Sequence, residues 1–258
     1  MITITRMTTA AIMAMSTGTR ATSTTIEAAR AIAMTGAHLP LMAWLSPAFP
    51  VGGFAYSHGL EWAFEAGDLG SAEDLADWLG ALVEHGALRN DLVLFSQAWH
   101  AAGAEDAERL AELGELALAL ANSAERRLET VTQGNAFAAA ITAAWPCAAM
   151  DRLRAAWPGD LAYPVAVAVA SAGHEQPLRA ALEAFALAFL ANLVSAAVRL
   201  GVTGQTEGQR IIARLTPALR AAAAQAEEAT LDDLGGCAFR SDLASLRHET
   251  QYSRLFRS

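Results

Sequence analysis

From Leu39 onward, apolar residues recur at intervals of three and four, and Gly or Pro interrupts each run. That spacing lays one apolar stripe along a 3.6-residue helix, and no stretch alternates convincingly with the period of two that a β-strand needs. In the clearest segment, Ser71 with Asp74 three residues on resembles a capping box. Leu75, Trp78, Leu79, Leu82 and Val83 follow on one face. A short helix is expected from about Tyr56 to Ala66, stopped by Gly67. Further helices are expected at 89–102, 105–121 and 123–145, the last interrupted near Gly134 and ended by Pro146, and then at 148–156. Pro164 suits the first turn of a helix running to Gly173, and Pro177 likewise opens a long apolar helix to Leu200. A turn at Gly201 to Gly204 leads into a helix from Glu207 to about Ala224, with Pro217 a point at which it can break. The pattern predicts an all-α fold, a single-domain bundle of about ten helices over residues 39–258.

Residues 1–38 do not share this pattern. They are rich in Thr, Ala, Met and Ser, carry Arg6, Arg20 and Arg30, and hold no acid before Glu27. Such a start resembles an organelle transit peptide in composition, while Thr8, Thr9, Ser16 and Thr17 break any apolar core that a secretory signal would need. The expectation is a disordered extension outside the fold.

Composition narrows the function more than it changes the fold. Hydrophobic residues make up 53% of the 258, and alanine, the best helix former, is about a quarter of the chain. The 18 basic residues are all arginine, against 27 acidic ones, for a formal charge of −9. Without lysine there is no Walker A loop and no Schiff-base amine. An acidic chain with no basic run argues against nucleic acid and anionic membrane as partners. Glu183, Asn192 and Arg199 interrupt the longest apolar stretch, which therefore reads as a buried or interface helix and not as a membrane anchor. Cys147 and Cys237 are the only cysteines, far apart in sequence, which suits a reducing cytoplasm and leaves no disulfide framework or cysteine-built zinc site.

Candidate chemistry is sparse. Between Ser46 and Gly53 two prolines fix φ, and Gly52 and Gly53 permit positive φ, so the backbone can turn there and present Tyr56 and the helix after it to a partner. His58, Glu61 and Glu65 fall one helical turn apart and could hold a metal, but they lack the His-Glu-x-x-His arrangement, which favours a solvated or capping role for them. The other histidines, His38, His85, His100, His174 and His248, are scattered, so a helical metalloenzyme with His and Glu ligands stands only as the alternative reading. The turn over residues 201–206 could offer backbone N–H groups to an anion, yet no strand precedes it and no lysine follows. No Gly-x-Ser-x-Gly elbow gives a serine its geometry. We assign no catalytic residue, cofactor or metal ligand. In the tail, Arg247, Arg254 and Arg257 alternate with Tyr252, Leu255 and Phe256, the residue types of interface hot spots. The same composition suits a tail that docks on its own body.

Four segments, taken together and in order, resemble the urease accessory protein UreF family. Leu45-Ser46-Pro47-Ala48-Phe49-Pro50-Val51-Gly52-Gly53-Phe54-Ala55-Tyr56-Ser57-His58-Gly59-Leu60-Glu61 is similar to the family's Pro-Val-Gly-Gly signature, with Ala55 where serine is common. Glu125-Arg126-Arg127-Leu128-Glu129 with Gln133-Gly134 is the second. Tyr163-Pro164-Val165-Ala166, followed by the run from Leu200 to Arg210, is the third, and residues 245–258 are the fourth. The resemblance implies an all-helical protein without chemistry of its own and without a cofactor. It further implies a cytoplasmic scaffold, homodimeric in its complex, that joins UreD (UreH) to apo-urease and recruits and regulates the GTPase UreG for nickel insertion. It places the C-terminal region at the UreD interface. The residues expected to meet partners are Gly52, Gly53, Tyr56 and Glu61 in the first segment, with Arg247, His248, Tyr252, Arg254 and Phe256 in the fourth.

Overall fold

The computed structural model describes residues 38–257, and the regular structure among them is entirely helical. The extension expected over residues 1–38 thus lies outside the described residues, apart from His38. In chain order the helices are α1 (Leu39–Trp44), α2 (Leu60–Glu65), α3 (Ala72–His85), α4 (Ala87–Gly103), α5 (Ala107–Ala119) and α6 (Ala124–Ala144). They continue as α7 (Ala148–Ala156), α8 (Tyr163–Gly173), α9 (Leu178–Leu200), α10 (Gln205–Glu228) and α11 (Phe239–His248). Single 3₁₀ turns lie at Gly53–Ala55 and Leu231–Asp233. The all-α bundle that the spacing predicts is the fold observed.

Helix α8 is its axis. Valine and alanine alternate along it, and residues 164–171 are all buried. A helix apolar on every side has to be ringed by others, and α4, α6 and α7 pack on it with α5 and α9 beside them. Pro164 opens it at a position whose N–H would have no helical partner in any case. Outside this ring α9 pairs with α10, and α10 also covers α3 and α4. Helix α1 is too short to hold itself. Its Trp44 is fully buried, edge-on to Phe137 and Trp145 at centroid distances of 6.3 and 5.7 Å. Three helix starts carry the side-chain caps that their sequences announce: Ser71, Asp106 and Ser123 accept from the backbone N–H groups of Asp74, Arg109 and Arg126.

Four expectations are corrected. The helix expected from Tyr56 begins only at Leu60, because Tyr56 is extended and His58 and Gly59 are left-handed, with φ of 54° and 78°. Positive φ in the preceding loop belongs to Gly52, at 72°, and not to Gly53. Pro217 does not break α10: the carbonyl it leaves without an N–H is that of Ala213, which like Pro217 faces water. Helix α6 runs through Gly134 without interruption. Among the described residues α9 alone is long and apolar enough to cross a membrane, and half of that stretch is buried, with α10, α4 and α2 among the helices packed on α9.

Gly134 is a contact and not a break. A Cβ there would stand 2.1 Å from the Leu161 carbonyl oxygen and 2.8 Å from the Ala162 carbonyl carbon, so α6 crosses the backbone leading into α8 with no room for a methyl. Alanine should favour an exposed helix interior by about 1 kcal/mol over glycine. Here overpacking reverses the sign. Gly134→Ala is expected to lower the free energy of unfolding by about 2 kcal/mol, read from the urea midpoint at unchanged slope.

Candidate functional site

Helix α11 is inside out. Ser241, Ala244, Ser245 and His248 face the body, at the spacing where a core-facing helix usually carries leucines. Phe239, Leu243 and Leu246 share the outer face, with Phe239 70% and Leu246 47% exposed. Two features of the body account for the small, polar inner face. At Gly59 a Cβ would meet the Ser245 nitrogen at 2.6 Å and the Ala244 carbonyl carbon at 2.9 Å, so backbone touches backbone. Beside that contact the Ser123 and Ser245 hydroxyls lie 2.7 Å apart, and Asn122 Nδ2 donates to Asp242 Oδ1 at 2.7 Å.

The last turn of α11 delivers His248 between two buried carboxylates. Its Nδ1 is 2.7 Å from Glu125 Oε2 and its Nε2 is 3.1 Å from Glu61 Oε2. The ring thus bridges the two carboxyl groups, and Arg254 Nη1 donates to the other oxygen of Glu125, Oε1, at 2.8 Å. Glu61 also accepts from the backbone N–H groups of Leu255 and Phe256, at 2.5 and 2.9 Å. Phe256 is thereby buried beneath Arg199, whose guanidinium carbon sits 4.3 Å from the ring centroid, and Arg257 N donates to the Ala55 carbonyl at 2.8 Å. The tail docks on its own body.

A second charged cluster lies one turn along α6. Arg126 Nη1 donates to Glu129 Oε2 at 2.6 Å and lies 2.9 Å from His58 Nε2, which is 2.8 Å from Glu129 Oε1. Gln133 Nε2 donates to the same Glu129 oxygen at 3.0 Å. Burial pushes Glu129 up, but His58 and Arg126 outweigh it and hold the carboxyl at about 2. Burial and the Arg126 cation lower His58 from its ordinary value, while Glu129 opposes them. Asp91, 3.7 Å from Arg126 Nη2, is pushed by burial up to about 6 despite that cation.

The residues singled out in sequence divide between the inside and the outside. Glu61, His248, Arg254 and Phe256 come together in the tail network, and Tyr56 is buried in the core with its carbonyl accepting from Asn192. Gly52 and Gly53 stay in the half-buried loop, while Arg247 and Tyr252 face solvent. His58, Glu61 and Glu65 do not converge: the first turns to Glu129, the second to His248, the third to water. Among the described residues no three His, Cys, Asp or Glu side chains are set to share an ion. Glu61 and Glu125 approach opposite edges of the His248 ring, so they cannot close on one. Sequence reasoning missed α11 itself, Gly59 and the part played by Glu125. The signal was the spacing of Ser241, Ala244, Ser245 and His248, which polar side chains disguise.

Comparison with known proteins points one way. Residues 69–216 match the family model described as UreF. The urease accessory protein UreF of Xanthobacter autotrophicus is 56% identical over 220 residues, 85% of this chain and 90% of that protein. Two proteins of the same name from Rhodopseudomonas palustris strains HaA2 and BisA53 are 55% and 52% identical, over 84% and 92% of this chain and 92% and 100% of their own lengths.

The α6 cluster sets a pH dependence. Glu129 is lower in the fold, at about 2, than its ordinary 4.5, so it contributes stability that is complete above 4.5 and lost as pH falls towards 2. Glu129→Gln removes that contribution. The stability gap between the native chain and the variant, measured by urea unfolding, is expected to narrow steadily as pH is lowered from about 4.5.

Proposed function

The chain belongs to the UreF family of urease accessory proteins, and from that premise we propose that it works in urease maturation as a scaffold without catalysis of its own. In this reading it acts in the cytoplasm, as a homodimer within its complex, and joins UreD to apo-urease. The same assembly recruits and regulates the GTPase UreG, and nickel is the cargo inserted into urease.

One observation supports the scaffold above others: the outward apolar stripe of Phe239, Leu243 and Leu246 on α11, with Tyr252 and Leu255 also exposed in the tail. The ion network ties down the backbone of α11 and the tail, so less ordering entropy remains to be lost when a partner covers them. An apolar helix face turned to solvent in this way is what a protein interface requires. Regulation of a GTPase then follows from binding alone, because a scaffold that prefers one nucleotide state of its partner shifts the partner towards that state. Gathering donor and acceptor in one assembly also raises their effective concentration, so the ion need not diffuse free.

The test changes the surface and leaves the network alone. Tyr252→Ala and Leu255→Ala should each leave helicity and melting unchanged, while capture of UreD in a pull-down falls about tenfold or more, equivalent to about 1.4 kcal/mol or more. Intact capture by a folded double variant would sink the interface. Steady GTP turnover by the pure chain would refute the non-enzymatic half.

A further inference from the structure

The loop over residues 45–54 roofs a cavity of about 200 Å³ set among α4, α6, α8 and α9. That is below the roughly 300–1,000 Å³ of pockets built for small-molecule ligands, and nearer to the size of one large side chain. Phe49, Phe185 and Phe189 form much of its wall. Its mouth is marked by three exposed lining residues, Pro47, Phe54 and Ser195, with Phe54 70% exposed.

The polar lining is short of positive charge. Among the described lining residues two carboxylates, Asp91 and Glu129, accompany one guanidinium, Arg126. Glu129 takes the close contacts. Asp91 meets Arg126 only at 3.7 Å and has no hydrogen bond among the described residues, which is why burial raises it.

The neutral groups lack donors as well. Gln133 Nε2 donates to Glu129 and Asn192 Nδ2 to the Tyr56 carbonyl, which leaves both amide oxygens without a partner among the described residues. These oxygens converge on Gly53, where a Cβ would stand 3.6 Å from Gln133 Oε1 and 3.9 Å from Asn192 Oδ1. The Tyr163 hydroxyl, which burial keeps un-ionised, has no partner among the described residues. The cavity thus offers a carboxylate, unpaired oxygens and aromatic walls. A guanidinium matches all three, because it carries five donors in a plane, sheds water more readily than an ammonium and stacks on rings.

We propose that this cavity is a socket for an arginine side chain inserted by a protein partner. The partner comes from the scaffold reading, on which this inference rests; the chemistry comes from the cavity alone. Arginine seated in a desolvated pocket is a recurrent interface hot spot, and here its charge would complete the pairing of Asp91.

Two titrations of the full chain by calorimetry test the chemistry: Nα-acetyl-arginine amide, and the isosteric but uncharged Nα-acetyl-citrulline amide. The arginine amide should bind saturably and the citrulline amide at least tenfold more weakly. Asp91→Asn, which removes the charge, and Ser195→Trp, which blocks the mouth, should each weaken the arginine amide at least tenfold at unchanged melting temperature. No binding, equal binding of the two amides, or indifference to both variants overturns the socket. The same two variants are then tested for capture of UreD, UreG and apo-urease, with loss of at least one expected. Full capture of all three by variants that no longer bind the arginine amide would make this a free-guanidine site and overturn the docking role. Tyr252→Ala is the separating control: it should lose UreD capture and keep the arginine amide, so the scaffold reading and the socket fail independently.

Discussion

A histidine with no exposed surface, held between two buried carboxylates, decides where the end of this chain can lie. None of the groups in the Glu61–His248–Glu125–Arg254 set is at home in a protein interior alone. Removing one partner of such a set strands the charge of another, at a cost of about 3–5 kcal/mol. The tie is therefore worth less as net stability than as specification: it rewards one position of α11 and the tail over all others. Because the inward face must carry His248 and the two serines, the apolar residues of α11 are left to face outward. The outward apolar stripe is a consequence of the tie beneath it.

Helix α6 supplies that tie and much else. Successive positions address different neighbours: Glu125 the tail, Arg126 and Glu129 the loop histidine, Thr130 the first N–H of α8, and Gly134 the backbone just before it. A helix that looks solvated in sequence is thus one of the most internally engaged. Charges replace hydrophobes on its buried side because what they meet there are charged and polar side chains: Glu125 faces His248 and Arg254, and Glu129 faces His58 and Arg126. Packing on α8, through Phe137, Ala138 and Ile141, is left to its C-terminal half.

Most of the bundle was legible from spacing, since the helices that pack on α8 bury leucine, valine and phenylalanine at the intervals expected of them. Even α8 could be read, although its alternating valine and alanine mimic a strand, because Pro164 and the flanking glycine fit only a helix. What could not be read is what is buried by charge. Glu125, Arg126 and Glu129 have the composition of a water-facing turn, and Ser241, Ala244, Ser245 and His248 that of a linker. Burial of these groups depends on partners far along the chain, 68 residues away for His58 and Arg126 and 187 for Glu61 and His248, and no local window contains them. The Tyr56 helix start failed for a related reason: Gly59 must be left-handed to admit α11, a demand set by the far end of the chain.

The same distance bears on how the family's motifs are to be understood. Glu61 closes the first segment of resemblance, Glu125 opens the second and His248 lies in the fourth, and in space the three are consecutive members of one hydrogen-bonded chain. A motif residue of this kind works inside the fold, by fixing where the tail lies. Arg254 stands at the edge of that set, partly exposed while it pairs with Glu125. Tyr252, two residues earlier, has no hydrogen bond among the described residues and stands fully in solvent. Residue types alone ranked Arg254, Phe256 and Tyr252 together as anchors. Their environments separate them: Phe256 is buried, Arg254 is paired with Glu125 and Tyr252 stands in solvent.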